Sequence, residues 1–207
     1  MDSGDFLIDG DSGAATTVVL AHGAGAPMDT PFMDAFAGGL AAAGLRAVRF
    51  EFPFMRAQRR EGKRKAPDRA PVLLDTWRGV IADLGDSAAL VIGGKSMGGR
   101  IASMVADEAR VKGVACLGYP FHPAGKPERT RTEHLASMRT PTLIVQGTRD
   151  SLGKPEEVEG YTLSEAVRVH WLETGDHSFK PTKASGRTLE QNWREGIAAV
   201  ADFVRGL

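Results

Sequence analysis

The serine at position 96 lies within Gly93-Gly94-Lys95-Ser96-Met97-Gly98-Gly99. This G-x-S-x-G pattern can present a nucleophilic hydroxyl on a tight strand-to-helix turn. The apolar run 88–92 precedes it, and a helical pattern from Arg100 to Ala109 follows. In such a turn the serine backbone is strained and side chains two positions away on either side collide with it, so glycine is needed at both. Two bland origins of the pattern compete. A phosphate-binding G-x-x-x-x-G-K-[ST] loop requires glycine at position 89, where the chain carries Ala89. Chance is the other, because 25 glycines make G-x-S-x-G easy to meet. The partners of Ser96 must decide.

A serine hydroxyl becomes a useful nucleophile only when a base takes its proton, and the base needs a third group to fix its tautomer. One recurring chain order is nucleophile, acid, histidine. After the apolar run 142–145 comes Gln146-Gly147-Thr148-Arg149-Asp150, and after the run 167–172 comes Glu173-Thr174-Gly175-Asp176-His177. Asp150 and His177 therefore follow Ser96 in that order, each just beyond a strand. Asp176 is a rival acid, but its neighbour His177 would have to turn back on it. Among the other histidines, His22 comes too early, His134 falls in a helical pattern and His170 within a strand. His122 also follows a strand, in Gly118-Tyr119-Pro120-Phe121-His122-Pro123, yet precedes Asp150.

Charge develops on the carbonyl oxygen in acyl transfer, so two N–H donors are needed. The Met97 amide, directly after the nucleophile, supplies one. Ala24, in His22-Gly23-Ala24-Gly25-Ala26, is the choice for the second, with His22 holding that loop by hydrogen bonding. Gly25 is the next choice, and with Tyr119, Phe121 and His122 it is expected to line the substrate pocket. Gly23-Ala24-Gly25 also begins a G-x-G-x-x-G pattern, which fails at Met28.

The elements that must position these groups alternate along the chain. Strands are expected at Thr17 to Ala21, Ala47 to Phe52, Ala89 to Gly93, Val114 to Leu117, Thr142 to Val145 and Val167 to Leu172, with an edge strand near Phe6 to Asp9. Several are continuously apolar, as parallel strands buried on both faces are. Thr30 and Pro31 open one helix, with Phe36 and Leu40 inward and Gly44 ending it. Pro71 opens another, carrying Leu74, Trp77 and Ile81. Thr188 and Gln191 form a capping box for the last, whose stripe is Trp193, Ile197, Val200 and Val204. The fold class is α/β, a mostly parallel sheet covered by helices on both faces. At 207 residues and 42% hydrophobic, 1–207 reads as one domain. The connection from Gly118 to Arg139 is too short for a lid in addition to its own helix.

Lys plus Arg and Asp plus Glu both total 26, a balance that argues against a nucleic-acid or acidic-membrane partner. The segment Pro53 to Ala70 is locally basic, with Arg56, Arg59, Arg60, Lys63, Arg64, Lys65 and Arg69, and is expected to be a solvated loop, the alternative being a site that greets an anionic substrate or an acidic partner. A single cysteine, Cys116, in an apolar run, indicates a reducing compartment and a core position. The start, Met1-Asp2-Ser3-Gly4-Asp5, lacks a basic region, so a secretory leader is not expected. A soluble, cytoplasmic protein follows, with its oligomeric state open.

On these residues the chain resembles the α/β-hydrolase fold family over nearly its full length. It is more narrowly similar to the small cap-less group of dienelactone hydrolase-like and testis-expressed or chromatin-complex hydrolase-like proteins. The stretches that carry the likeness are 22–29, 67–71, 93–100, 118–123, 146–150 and 175–180. The resemblance implies a Ser96–Asp150–His177 triad and no cap domain, and it leaves the substrate undefined. The short connection after the fourth main strand leaves an open pocket suited to small acyl substrates, and the mechanism read from these residues calls for no metal or organic cofactor. Dienelactone hydrolases proper use a cysteine where this chain has Ser96, which argues against that activity. The expectation is a serine hydrolase of small ester, thioester or related acyl bonds. The alternative is a catalytically idle hydrolase fold serving as a binding or scaffold module.

Overall fold

A computed structural model describes residues 6–207; the acidic start, 1–5, lies outside the described residues. In chain order the elements are β1 (Phe6–Asp9), β2 (Thr17–Ala21), α1 (Pro31–Ala42), β3 (Arg46–Phe50), α2 (Pro53–Glu61) and α3 (Ala70–Leu84). They continue with β4 (Leu90–Lys95), α4 (Met97–Ala109), β5 (Gly113–Leu117), β6 (Thr142–Gly147), the short α5 (Pro155–Val158), β7 (Val167–Leu172) and α6 (Leu189–Arg205). The strands form one sheet in the order β1-β3-β2-β4-β5-β6-β7. All neighbours are parallel except β1, which pairs antiparallel with β3 at the edge. This is the α/β-hydrolase fold.

The strand order places the site. From β2 the chain moves outward to β3, then returns past β2 to β4 and continues the other way. The loops leaving β2 and β4 therefore part in opposite directions, which opens a crevice at their carboxyl ends. His22–Gly25 and Ser96 sit at that switch point.

Both sheet faces are packed. On one, Phe36 and Leu40 of α1 meet Val200 and Val204 of α6. On the other, Trp77 and Val80 of α3 and Ile101 and Val105 of α4 meet Phe50 and Phe52. Trp77 stands edge-on to Phe50 with centroids 4.7 Å apart, a pairing that adds about 0.5–1.5 kcal/mol beyond area burial. Its Nε1–H donates to the Gly98 carbonyl at 3.3 Å, tying α3 to the serine turn. Cys116 is buried in the same layer, and burial pushes its thiol pKa up, as suits a core residue. The caps are as the sequence indicates: Thr30 Oγ1 accepts from the Met33 amide, and Thr188 and Gln191 form a capping box.

Two local expectations need correction. The basic segment is not a loop throughout, since 53–61 is helix α2. Pro53 opens it, Phe54 and Met55 are buried, and Gly62 ends it in the left-handed region. Its charge is partly neutralised within the chain. Arg59 bonds Glu51 at 2.6 Å and Asp29 at 2.8 Å, and these carboxylates raise its pKa. Lys65 pairs with Glu61. The second correction concerns the 118–141 connection, whose only helical element is the 3₁₀ turn Glu133–Ala136. Among the described residues no cap covers the carboxyl edge of the sheet, and no helix is long and apolar enough to cross a membrane.

Candidate active site

Ser96 joins β4 to α4 with φ 51° and ψ −114°, a conformation that costs a non-glycine residue about 1–3 kcal/mol. The flanking glycines are sterically required. A Cβ on Gly94 would come 2.1 Å from the Ala21 carbonyl oxygen, and one on Gly98 2.5 Å from the same atom. The elbow is thus wedged against the end of β2. The Ser96 amide donates to the Leu117 carbonyl, and its own carbonyl accepts from Arg100 at the start of α4.

The three groups that follow separate strands meet. His177 Nε2 lies 2.9 Å from Ser96 Oγ, and its Nδ1 lies 2.7 Å from Asp150 Oδ2. Asp150 is fully buried. Its Oδ1 accepts from the Leu152 amide at 2.9 Å, and its Oδ2 accepts from Gln146 Nε2 at 2.9 Å. Both of those partners can only donate, so the acid is set up to accept, and Nδ1 of His177 carries the proton. Nε2 is then left as an acceptor for the serine hydroxyl. Asp176, the rival acid, is occupied otherwise: its Oδ1 accepts from the Ser178 and Lys180 amides and closes the turn that carries His177.

Ala24 and Met97 both border Ser96 in a cleft. Met97 is the first residue of α4, so its N–H has no intrahelical carbonyl to bond and faces the helix's positive end. His22 is buried, with its Nδ1–H donating to the Gly23 carbonyl at 2.6 Å and its Nε2 accepting from the Phe52 amide at 3.1 Å. Accepting there requires the neutral ring, and burial lowers the His22 pKa in agreement. This histidine joins the loop after β2 to the loop after β3.

Cavities open on two sides of Ser96. One, of about 440 Å³, runs past Gly25, Pro27, Phe32, Met33 and Trp193. The other, of about 370 Å³, runs past Met97, Arg100, Pro120 and Arg131. The expectation that Tyr119, Phe121 and His122 line the pocket is corrected, because all three are buried and neither cavity beside Ser96 is lined by them, whereas Pro120 of that loop lines the second. Gln146 is the cause: its Oε1 accepts from the Tyr119 amide at 2.7 Å and its Nε2 donates to the Tyr119 carbonyl, drawing the loop inward. Tyr119 then packs edge-on to Phe121 and donates its hydroxyl to the Arg131 carbonyl. His122 Nδ1 donates to the Pro123 carbonyl, while its Nε2 stands 3.5 Å from Glu157 without a hydrogen bond.

Two residues missed in the sequence reading shape this centre. Gln146 braces the acid, as described. Lys95, inside the serine motif, buries its chain so that Nζ donates to the backbone carbonyl of His177 and lies 5.3 and 5.9 Å from the Phe32 and Phe179 ring centroids. Burial lowers its pKa to about 8, against the opposing pull of Asp150 and Asp176. A lone lysine or glutamine has no periodic signature, so only the motif's position next to Ser96 could have flagged Lys95.

A strained serine at the switch point of a parallel sheet, bonded to an imidazole that is bonded to a buried carboxylate, defines a class: proteins of the α/β-hydrolase type. A family model described as alpha/beta hydrolase domain matches residues 14–205, and the chain belongs to that family. Among solved structures it is similar to the esterase domain of a Rhodothermus marinus protein, with 16% identity, TM-score 0.68, and coverage of 97% of this chain and 91% of that one. It is also similar to an alpha-beta serine hydrolase homologue from Coxiella burnetii, with 20% identity, TM-score 0.63, and coverage of 98% and 90%. A Xanthomonas campestris serine hydrolase without lid matches at 18% identity and TM-score 0.62, covering 94% and 88%. At these identities the likenesses establish the shared fold.

Proposed function

We propose that the protein is a serine hydrolase that cleaves a small ester, thioester or related acyl bond through an acyl-enzyme. The observation that carries this reading is the unbroken relay Ser96 Oγ–His177 Nε2–Asp150 Oδ2, at 2.9 and 2.7 Å, ending on a fully buried acid. Ser96 passes its proton to His177 as its oxygen attacks the acyl carbon. The resulting oxyanion accepts from the Met97 and Ala24 amides, donors worth about 2.7–4 kcal/mol each in related sites. As the carbon–leaving-group bond breaks, His177 returns the proton to the departing atom, and the acyl group remains on Ser96. Water then attacks that ester with His177 as base, releasing the acid and restoring the serine. Asp150 holds the ring's orientation throughout and stabilises its cationic form.

An esterase domain and a serine hydrolase homologue among the similar structures agree with this chemistry. The edge of the sheet is open, which suits small substrates. A sole buried thiol, Cys116, fits a reducing compartment, and we place the protein in the cytoplasm. The test is turnover of p-nitrophenyl acetate by wild type and Ser96→Ala. Hydrolysis that disappears in a folded variant supports the reading. Retention of most turnover overturns it, whereas a folded wild type that turns nothing over and takes no fluorophosphonate favours an idle scaffold.

A further inference from the structure

The two cavities beside Ser96 differ in chemistry, and the difference bears on substrate. The larger is walled by Phe32, Met33, Pro27 and Trp193. The smaller is lined by Ser96, Ala24 and Met97 together with Arg100 and Arg131. Arg100 lies one helical turn after Ser96, and its amide bonds the Ser96 carbonyl at 3.0 Å.

Neither guanidinium has a carboxylate partner among the described residues. The Arg100 Nη1 contact is the Met104 sulfur at 3.5 Å, and its Nε is buried with no hydrogen-bond acceptor. Arg131 is held by its backbone alone. Its N–H donates to the Phe121 carbonyl at 2.7 Å, and its carbonyl accepts the Tyr119 hydroxyl at 2.8 Å. The arginines also sense each other: burial, and next the Arg100 charge, lowers the Arg131 pKa. The one carboxylate lining the cleft, Asp68, has Oδ2 engaged by the Phe54 amide at 2.9 Å. Two cations against one carboxylate leave an excess of positive charge among the residues lining the cleft beside the nucleophile.

We propose that this cleft is an anion subsite, so that the bond cleaved at Ser96 belongs to a substrate carrying a carboxylate or phosphate on one side and an apolar group on the other. Guanidiniums suit such groups because their N–H forks match paired oxygens. The inference rests on the hydrolase reading for its reaction and on the unpaired arginines for its specificity.

The experiment uses matched ester pairs on the full-length protein at low ionic strength. For an anion on the acyl side, p-nitrophenyl hydrogen succinate is compared with p-nitrophenyl butyrate. For an anion on the leaving group, 4-acetoxybenzoate and 4-acetoxyphenyl phosphate are each compared with phenyl acetate, and these two arms separate carboxylate from phosphate. The expected result is a kcat/KM at least about tenfold higher for the anionic member of one pair, the scale of a charge-assisted contact. In Arg100→Gln and in Arg131→Gln that anionic-to-neutral ratio falls toward one. Because the readout is a ratio within one protein, partial loss of folded enzyme cancels. Neutral preference in every pair, or a ratio unmoved by both variants, overturns the proposal. If no ester of either kind is turned over, the hydrolase reading has failed, and the subsite is then judged by titration with inorganic phosphate and succinate. Binding that weakens in both arginine variants supports it, and no binding, or binding indifferent to them, overturns it.

Discussion

Replacing Asp150 with asparagine tests the relay at its buried end. The carboxylate accepts three N–H bonds, from Leu152 at Oδ1 and from Gln146 and His177 at Oδ2. Asparagine keeps the volume but turns one of the two oxygens into a donor. With the NH₂ at the Oδ1 position, it faces the Leu152 amide and orphans a buried donor, at a cost of about 1–3 kcal/mol. With the NH₂ at the Oδ2 position, it faces the Gln146 NH₂. Gln146 cannot rotate to relieve this, because its Oε1 already accepts from the Tyr119 amide at 2.7 Å. His177 must then accept at Nδ1 and carry its proton on Nε2, where it can no longer take the proton from Ser96. Either arrangement destabilises the fold and removes the negative charge opposite the imidazolium. The expected losses are about 1–3 kcal/mol in urea unfolding at constant m, and on the order of 10³–10⁴ in kcat for p-nitrophenyl acetate. A folded Asp150→Asn protein within tenfold of wild-type kcat would refute this account of the acid.

Gly94→Ala places a Cβ 2.1 Å from the Ala21 carbonyl oxygen at a φ of 135°, so little soluble folded protein is expected. Expression followed by circular dichroism checks it. Lys95→Met removes the donor to the His177 carbonyl and two cation–π contacts, and a fall of roughly tenfold or more in kcat/KM is expected. The same variant has a pH signature. Burial lowers the Lys95 pKa from its ordinary 10.5 to about 8, so between those values the unfolded chain binds more protons than the folded one. Stability contributed by this group therefore rises with pH across that window. Urea midpoints measured from pH 7 to 10 should shift in favour of wild type relative to Lys95→Met as pH increases.

Much of this architecture is written locally. The strand Thr17–Ala21 coincides with a continuously apolar run and Val167–Leu172 with an alternating one, and the elbow is legible because its glycines answer to a backbone only about 2 Å from where their Cβ atoms would be. Helix α2 was obscured by its own charge. Seven basic residues between Pro53 and Ala70 read as solvated, whereas the decisive signals were Pro53 at the first helical position and the buried pair Phe54 and Met55. The Tyr119–His122 misplacement has a different origin. A position after a strand says which edge a residue occupies, but not whether it faces outward. That choice was made by Gln146, 27 residues away in sequence from Tyr119. Lys95 illustrates the same limit, since its partner is a backbone carbonyl 82 residues distant. Long-range polar contacts of this kind leave no periodic trace.

The most direct measurement is the reaction of the folded protein with a fluorophosphonate, followed by mass mapping and by the labelling rates of wild type and His177→Ala. A single adduct on Ser96 is expected, forming at least about a hundredfold more slowly without the imidazole, the scale of general-base assistance. No adduct on Ser96, or equal labelling rates in the two proteins, would contradict the Ser96–His177 relay.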